Sequence, residues 1–84
     1  MLAKVHELKT LQPYFAEVAS GNKTFEVRKN DRDFKVGDLL KLMEFDQAEG
    51  LTGRVITTKV SYVLDDTKYC KKGYVVLGMH IVAD

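Results

Sequence analysis

The chain has 84 residues, of which 45% are hydrophobic and 30% are charged, and its 13 basic and 12 acidic side chains give a formal net charge of +1. This composition is that of an ordinary globular domain. It excludes a disordered tail and a protein that grips a nucleic-acid duplex through a broad basic surface. No stretch approaches the roughly 20 apolar residues that a membrane-spanning helix needs.

The length predicts a single domain over residues 1–84. The only cysteine, Cys70, has no partner in the chain for a disulfide bond, which is typical of a protein in a reducing compartment. Residues 1–9 interleave charged and apolar side chains and do not resemble a signal peptide. We therefore expect a cytoplasmic protein with no membrane partner.

The predicted elements begin with a short strand at residues 3–9, followed by a helix. Thr10 has the side chain of an N-cap, and Pro13 falls in the first turn, where a missing N–H group costs little. Apolar side chains then recur at helical spacing on one face, at Leu11, Tyr14, Phe15 and Val18. Gly21 is expected to end the helix, because glycine readily adopts the left-handed conformation that follows a last turn.

Four more strands are predicted after the helix, at residues 24–28, 38–46, 54–64 and 74–82. Successive side chains of a strand point to opposite faces. In the first of these strands we therefore expect Phe25 and Val27 to face the core. Glu26 and Arg28 would then share the outward face.

In the next strand Leu40 and Leu42 are expected to point inward, although Leu39, Met43 and Phe45 on the other face are also apolar. Five strands and one early helix, all compatible with antiparallel pairing, predict a mainly β (α+β) fold. A chain of this size removes exposed edges by curling its sheet into a closed or nearly closed barrel. We expect a small β-barrel of about five strands with one helix between the first two strands.

Glu26 and Arg28 are the central candidates for chemistry, because they lie on one strand face about 6.6 Å apart along the backbone. The ordinary interpretation is a surface ion pair worth roughly 0–1 kcal/mol. The alternative is that Lys23, and Lys9 from the first strand, converge with them on a cleft. Such a set suits an anionic or heteroaromatic ligand. Arg offers a planar fork, Lys a point charge, and Glu an acceptor for an exocyclic amine.

Metal binding and cofactor binding are not expected. His6, His80 and Cys70 show no ligand spacing, so no metal site is predicted. His80 lies in an apolar strand and is expected to be packed, whereas the role of His6 stays open. No glycine-rich phosphate loop or nucleophile motif occurs.

The segment GNKTFEVR at residues 21–28, which follows the predicted helix and precedes VGD, resembles the Gly-x-Lys-x-x-Glu-x-Arg signature of ASCH domains in the PUA-like superfamily. The resemblance is closer still to a group of small bacterial and phage proteins of unknown function within that superfamily. It covers essentially the whole chain. The shared motifs are HELK at 6–9, KTFEVRKNDRDF at 23–34, VGD at 36–38, TGR at 52–54 and GYVVLG at 73–78.

This resemblance implies a PUA-like β-barrel with a cleft beside the helix that binds RNA or a modified nucleotide. Carried over, the signature falls on Gly21, which would end the helix, and on Lys23, Glu26 and Arg28, which would line the cleft. The narrower group's motifs add second-rank ligand-binding candidates. In a module that binds a nucleic acid or a nucleotide, we expect Lys9 and Arg32 to contact phosphate. These second-rank residues are His6, Lys9, Asn30, Asp31 and Arg32.

Two alternatives to a binding module stay open. Some small ASCH proteins are amidohydrolases that deacetylate acetylated cytidine with a Lys, a Thr three residues later and a distant Glu. Lys23 matches the Lys, but Glu26 stands in place of the Thr and the late Glu has no clear counterpart. If the protein is an enzyme, Lys23 and Glu26 are the catalytic candidates. The second alternative is a protein-interaction module that docks through Leu39, Met43 and Phe45. For the oligomeric state we expect a monomer or a weak dimer.

Overall fold

In the computed structural model, which describes residues 3–83, the chain forms five strands and one short helix. The prediction of a mainly β domain with one helix between the first two strands is confirmed. The elements are β1 (Val5–Leu11), α1 (Tyr14–Ala19), β2 (Phe25–Lys29), β3 (Leu39–Asp46), β4 (Gly50–Leu64) and β5 (Tyr74–Ala83).

All five strands belong to one sheet in the order β1-β3-β4-β5-β2. Three of the four pairings are antiparallel, but β1 runs parallel to β3, with Val5 opposite Leu39 and Leu11 opposite Phe45. The expectation of antiparallel pairing throughout is therefore wrong for this pair. Parallel neighbours need a long crossover between them, and α1, β2 and the loop after β2 supply it. As a result β1 and β2, which follow one another in the chain, form the two opposite edges of the sheet.

The sheet curls into a half-barrel, so the edge strands β1 and β2 approach each other across an opening that we call the seam. Two arginine side chains bridge it. Arg28 donates from Nη2 to the backbone carbonyl of Lys9 at 2.7 Å, and Arg32 donates from Nη1 to the carbonyl of Glu7 at 2.8 Å. The backbone hydrogen bonds of the sheet end at the edge strands β1 and β2. Across the seam, the half-barrel is therefore held by the two arginine side chains.

The concave face of the sheet encloses the apolar core. Leu40 and Leu42 are completely buried, as their position in the strand predicts. The helix closes one end by inserting Phe15 and Val18, each 1% exposed. The remaining core side chains come from β1, β4, β5 and the loop before β3: Leu8, Phe34, Ile56, Val60, Val75, Leu77 and Met79.

Strand β2 faces the opposite way from the prediction. Phe25 and Val27 are 45% and 53% exposed, whereas Glu26 is only 3% exposed. The prediction assumed that the apolar side chains of a strand face the core. Here β2 is an edge strand whose inner face borders the seam, and the positive charges of Lys23 and Arg28 stabilise a carboxylate in that position. The predicted pairing of Glu26 and Arg28 on one face is correct, but that face points inward.

The helix is shorter than predicted because β1 continues through Leu11 along its parallel pairing with β3. Thr10 is therefore a buried strand residue and not an N-cap. The six-residue helix starts after Pro13 and has no side-chain cap at its N-terminus. Gly21 follows the C-cap residue Ser20 with φ of +85°, as expected for the glycine that ends the helix.

Candidate functional site

A cleft of about 450 Å³ lies at the seam beside α1, and we call it the seam cleft. The sequence-predicted residues Lys9, Lys23, Glu26 and Arg28 all line it, so the fold brings together residues that are separated by up to 19 positions in the chain. The complete lining is Lys9, Thr10, Leu11, Tyr14, Lys23, Phe25, Glu26, Val27 and Arg28.

The buried carboxylate of Glu26 is the polar centre of the seam cleft. The Lys23 ammonium donates to its Oε1 at 2.8 Å, and the Arg28 Nε–H donates to its Oε2 at 2.9 Å. Lys23 also donates to the carbonyl of Phe25 at 2.7 Å, which holds the ammonium beside the first residue of β2. Each carboxylate oxygen has two lone-pair sites. Glu26 therefore keeps acceptor capacity for a donor that enters the cleft.

Apolar side chains form the walls around this centre. Tyr14 and Phe25 are about half exposed, and Leu11 and Val27 are exposed beside them. The Lys23 ammonium lies 4.9 Å from the ring centre of Phe25 and 5.9 Å from that of Tyr14, within the range of cation–π attraction. The cleft thus combines flat apolar surfaces with charged donors and an acceptor. A planar heteroaromatic ring with polar edges has the complementary chemistry.

Three further predicted residues follow β2 and lie outside the seam cleft. Asn30 is exposed, and its backbone N–H donates to the carbonyl of Gly73 at 2.9 Å. Asp31 and Arg32 line a second cleft on the other side of Arg28. The Arg32 Nε lies 4.0 Å from Asp31 Oδ1, and both side chains are largely exposed.

His6, another predicted ligand residue, has a different environment. Its Nε2 lies 2.8 Å from Asp38 Oδ2, and its ring packs against Phe34 with 4.7 Å between the ring centres. Asp38 also accepts bonds from the backbone N–H groups of Lys4 and Lys35. Burial alone would raise the pKa of Asp38, but the bond from His6 and these backbone bonds outweigh burial and lower the pKa below 3.8. The His6–Asp38 pair ties β1 to the turn before β3 and lies away from the seam cleft.

Glu44 is a second buried carboxylate, and it was not predicted from the sequence. It accepts bonds from Gln12 at 2.6 Å and from Thr52 at 2.7 Å, and Arg54 Nη1 lies 3.6 Å away. The two side-chain bonds lower the pKa of Glu44 below 4.5, and the charge of Arg54 adds to this effect against the opposing effect of burial. The carboxylate joins the segment after β1 to β3 and β4.

Most residues of the cleft walls were not predicted from the sequence. Leu11 and Tyr14 were assigned to the buried face of a longer helix, and Thr10 to its cap. Pro13 carried a usable signal, because the residue before a proline disfavours helical geometry and so places the helix start after Gln12. No sequence signal indicated that Thr10 would lie 3.4 Å from the Arg28 guanidinium.

The remaining candidates are placed as follows. Within residues 3–83, His, Cys, Asp and Glu side chains form no group of three or more that could hold a metal ion. His80 is exposed on β5, contrary to its predicted packing. The proposed docking residues Leu39, Met43 and Phe45 are half-buried, and the Lys9 ammonium covers the Phe45 ring at 4.9 Å.

The part of the chain that the structure describes contains no helix with the length and apolar character required to cross a membrane.

Comparison with known proteins identifies the family of this chain. A model of the family described as "Domain of unknown function (DUF3850)" matches residues 5–79. The chain belongs to this family. The match runs from the start of β1 into β5, so the DUF3850 region includes both edges of the seam and every residue that lines the seam cleft.

A relative of this DUF3850 chain is found in Escherichia phage P2. It is described as an uncharacterized 12.9 kDa protein in the GpA 3′ region, and it is 42% identical over 65 residues. The aligned region covers 77% of the present chain and 59% of the relative. The chain therefore spans somewhat over half the length of the phage protein.

Proposed function

We propose that the protein is an ASCH-like, PUA-like module that binds a nucleotide or a short single-stranded RNA in the seam cleft. The observation that carries the proposal is the buried Glu26 carboxylate, held between Lys23 and Arg28 and surrounded by exposed apolar walls. The resemblance of residues 21–28 to the ASCH signature supports it, because Lys23, Glu26 and Arg28 of that signature share one cleft.

Each part of the cleft has a role in this proposal. The Phe25 and Tyr14 rings offer faces on which a base can stack, a contact worth about 1–3 kcal/mol per base. Glu26 accepts a hydrogen bond from the exocyclic amine of cytosine, adenine or guanine. Lys23 and Arg28 hold the carboxylate in place before the ligand arrives, so little ordering remains to be done on binding.

The amidohydrolase alternative has one observation in its favour, the 2.8 Å contact between Lys23 Nζ and Glu26 Oε1. Glu26 occupies the place of the threonine in the related enzymes, however, and their late glutamate has no clear counterpart in this chain. A binding module is therefore the better-supported function.

The test compares the wild type with Glu26→Gln in titrations with cytidine, adenosine, uridine and short single-stranded RNAs. Glutamine keeps the shape of the side chain but replaces one acceptor oxygen with a donor. We expect cytidine and adenosine to lose about 1–3 kcal/mol of binding free energy. Uridine, which has no exocyclic amine, should lose much less. Glu49→Gln is the matched control, because Glu49 is exposed in the turn between β3 and β4.

Equal affinities of the wild type and Glu26→Gln for every amine-bearing ligand would contradict the proposed site. If Glu26→Gln does not fold, Phe25→Leu replaces it, since leucine keeps an apolar side chain but removes the stacking face. Arg28→Ala is less suitable because Arg28 also bonds to β1 across the seam. The same wild-type sample, incubated with acetylated cytidine, separates the two functions. We expect no turnover above that of Lys23→Ala, and clear turnover would favour the enzyme.

A further inference from the structure

The second cleft adjoins the seam cleft along the edge of β1. It encloses about 260 Å³, and Arg28 lines both clefts. Arg28 is therefore the side chain at which the two clefts meet. The lining of the second cleft is Leu8, Arg28, Lys29, Asp31, Arg32 and Phe34.

Two arginines are held in fixed positions along this path. Arg28 bonds to the carbonyl of Lys9 and Arg32 to the carbonyl of Glu7. These carbonyls are two residues apart on one strand, so they point to the same edge at a separation of about 6.6 Å. A guanidinium has five N–H donors. Arg32 uses one donor on the carbonyl of Glu7. Arg28 uses Nε on Glu26 and Nη2 on Lys9 and Thr10. Each guanidinium therefore keeps N–H groups for an anion.

Positive charge is concentrated in the two clefts. Together they contain five basic side chains, Lys9, Lys23, Arg28, Lys29 and Arg32, against two acidic ones, Glu26 and Asp31. This is a local excess of three positive charges in a chain whose formal net charge is +1. The rest of the molecule is therefore net negative. Glu26 offsets part of this charge in the seam cleft, and Asp31, 4.0 Å from Arg32 Nε, offsets part of it in the second cleft. Each cleft still has more basic than acidic side chains.

We propose that Lys29 and Arg32 form a phosphate subsite that Arg28 joins to the seam cleft. The ligand is then a nucleoside phosphate, free or as part of an RNA strand, whose base lies beside Glu26 and whose phosphate lies between Lys29 and Arg32. Guanidinium and ammonium groups together bind phosphate through charge-assisted hydrogen bonds. This inference rests on the proposed function, because it assumes a base in the seam cleft.

The experiment measures the dissociation constants of cytidine and adenosine, and of their 5′- and 3′-monophosphates, for three proteins. These are the wild type, the double variant Lys29→Gln/Arg32→Gln and the control Lys68→Gln/Lys72→Gln. The control removes the same charge from exposed lysines near the β4–β5 loop. The wild type should bind at least one monophosphate about tenfold or more tightly than the nucleoside, as expected for charge-assisted bonds. In the double variant the monophosphate and the nucleoside should bind with nearly equal affinity. Because Arg32 also bonds to β1 across the seam, the nucleoside affinity of the same variant is the reference for this ratio. The control variant should keep the wild-type ratio.

The outcomes separate the two proposals. If the wild type binds the nucleosides and their monophosphates equally, or if the double variant keeps the ratio, the phosphate subsite is wrong while the base cleft stands. If nucleosides, monophosphates and the trinucleotide all fail to bind, both proposals are wrong. A trinucleotide that binds more tightly than either monophosphate, with the gain lost in the double variant, supports an RNA strand as the source of the phosphate. A trinucleotide that binds no better supports the free nucleotide.

Discussion

Asp38 is a buried side chain whose bonds join three parts of the chain. Its carboxylate accepts bonds from His6 on β1, from the backbone N–H of Lys4 before β1, and from the backbone N–H of Lys35 in the loop before β3. Hydrogen bonds to a charged group contribute about 1.5–3 kcal/mol each when their loss leaves a partner unsatisfied. We therefore regard Asp38 as a structural residue, and His6 as its partner.

We predict that the free energy of unfolding decreases at acid pH and that Asp38→Asn reduces the decrease. The pKa of Asp38 in the folded protein lies below its ordinary value of 3.8. The unfolded chain therefore binds the proton first as the pH falls. The stabilisation from this carboxylate is complete above about pH 5 and is lost as the pH falls through the lowered folded-state pKa. Urea unfolding over a series of pH values measures it.

Near neutral pH we expect Asp38→Asn to be less stable than the wild type by about 1.5–3 kcal/mol. Asp65→Asn is the control, since Asp65 is exposed after β4. A pH dependence of Asp38→Asn that is identical to that of the wild type would contradict the assigned role. Glu44, whose pKa is also lowered, accounts for a part of the acid sensitivity that remains in the variant.

At the level of single residues, the sequence predicted which side chains meet but not which way they point. The spacing of Glu26 and Arg28 and the nearness of Lys23 were sufficient to predict their contact. The orientation of β2 was not predictable from hydrophobicity. Phe25 and Val27 lie on an edge strand, where exposing their side chains costs little free energy. Ion pairing reduces the free-energy cost of burying Glu26. Only the three-dimensional position of β2 decides between the two faces.

At the level of elements, α1 depends on packing more than on its own propensity. A six-residue helix without a side-chain cap is too short to be stable alone. Its stability comes from Phe15 and Val18, which insert between the strands at one end of the half-barrel. The helical spacing in the sequence correctly identified these two residues as the buried face.

We predict that Phe15→Ala lowers the free energy of unfolding by about 3–5 kcal/mol. The neighbouring change Tyr14→Ala should lower it by no more than about 0.5 kcal/mol, because Tyr14 is half exposed. Chemical denaturation of the two variants measures the difference. Comparable losses would show that the helix is not anchored mainly through Phe15. Tyr14→Ala should weaken ligand binding even though it leaves stability intact, since Tyr14 lines the seam cleft.

The pairing of the strands is the feature of the elements that could not be predicted from the sequence. The number of strands and the place of the helix follow from hydrophobic periodicity and turn residues. The parallel pairing of β1 with β3 does not, because it depends on where α1 and β2 carry the chain. This pairing extends β1 through Leu11, shortens the helix and moves Thr10, Leu11 and Tyr14 into the wall of the cleft. One undetected pairing thus explains most of the missed site residues.

At the level of the whole molecule, charge is nearly balanced in total but unevenly distributed. The two clefts carry an excess of positive charge, and the remaining surface is slightly negative. Such a distribution directs an anionic ligand to one place without a general affinity for polyanions.

We predict a shallow salt dependence for the binding of short single-stranded RNA. Each phosphate contact contributes about −0.7 to the slope of log affinity against log salt concentration, so a short strand with two or three phosphates at the two clefts gives a slope of about −1.4 to −2. Titrations at several salt concentrations measure the slope. A slope of about −4 or steeper would indicate a broad basic surface and would contradict a local site.

The arginine bonds across the seam also oppose strand pairing between two copies of the protein at the β1 edge. An edge strand presents carbonyl groups that a strand of another molecule can use as a template, which is how domain swapping and aggregation begin. On β1 the carbonyls of Glu7 and Lys9 already accept bonds from Arg32 and Arg28. An incoming strand would have to break both bonds before it could pair there. The two arginines that we place beside the ligand thus also keep the open edge of the half-barrel from growing into a larger sheet.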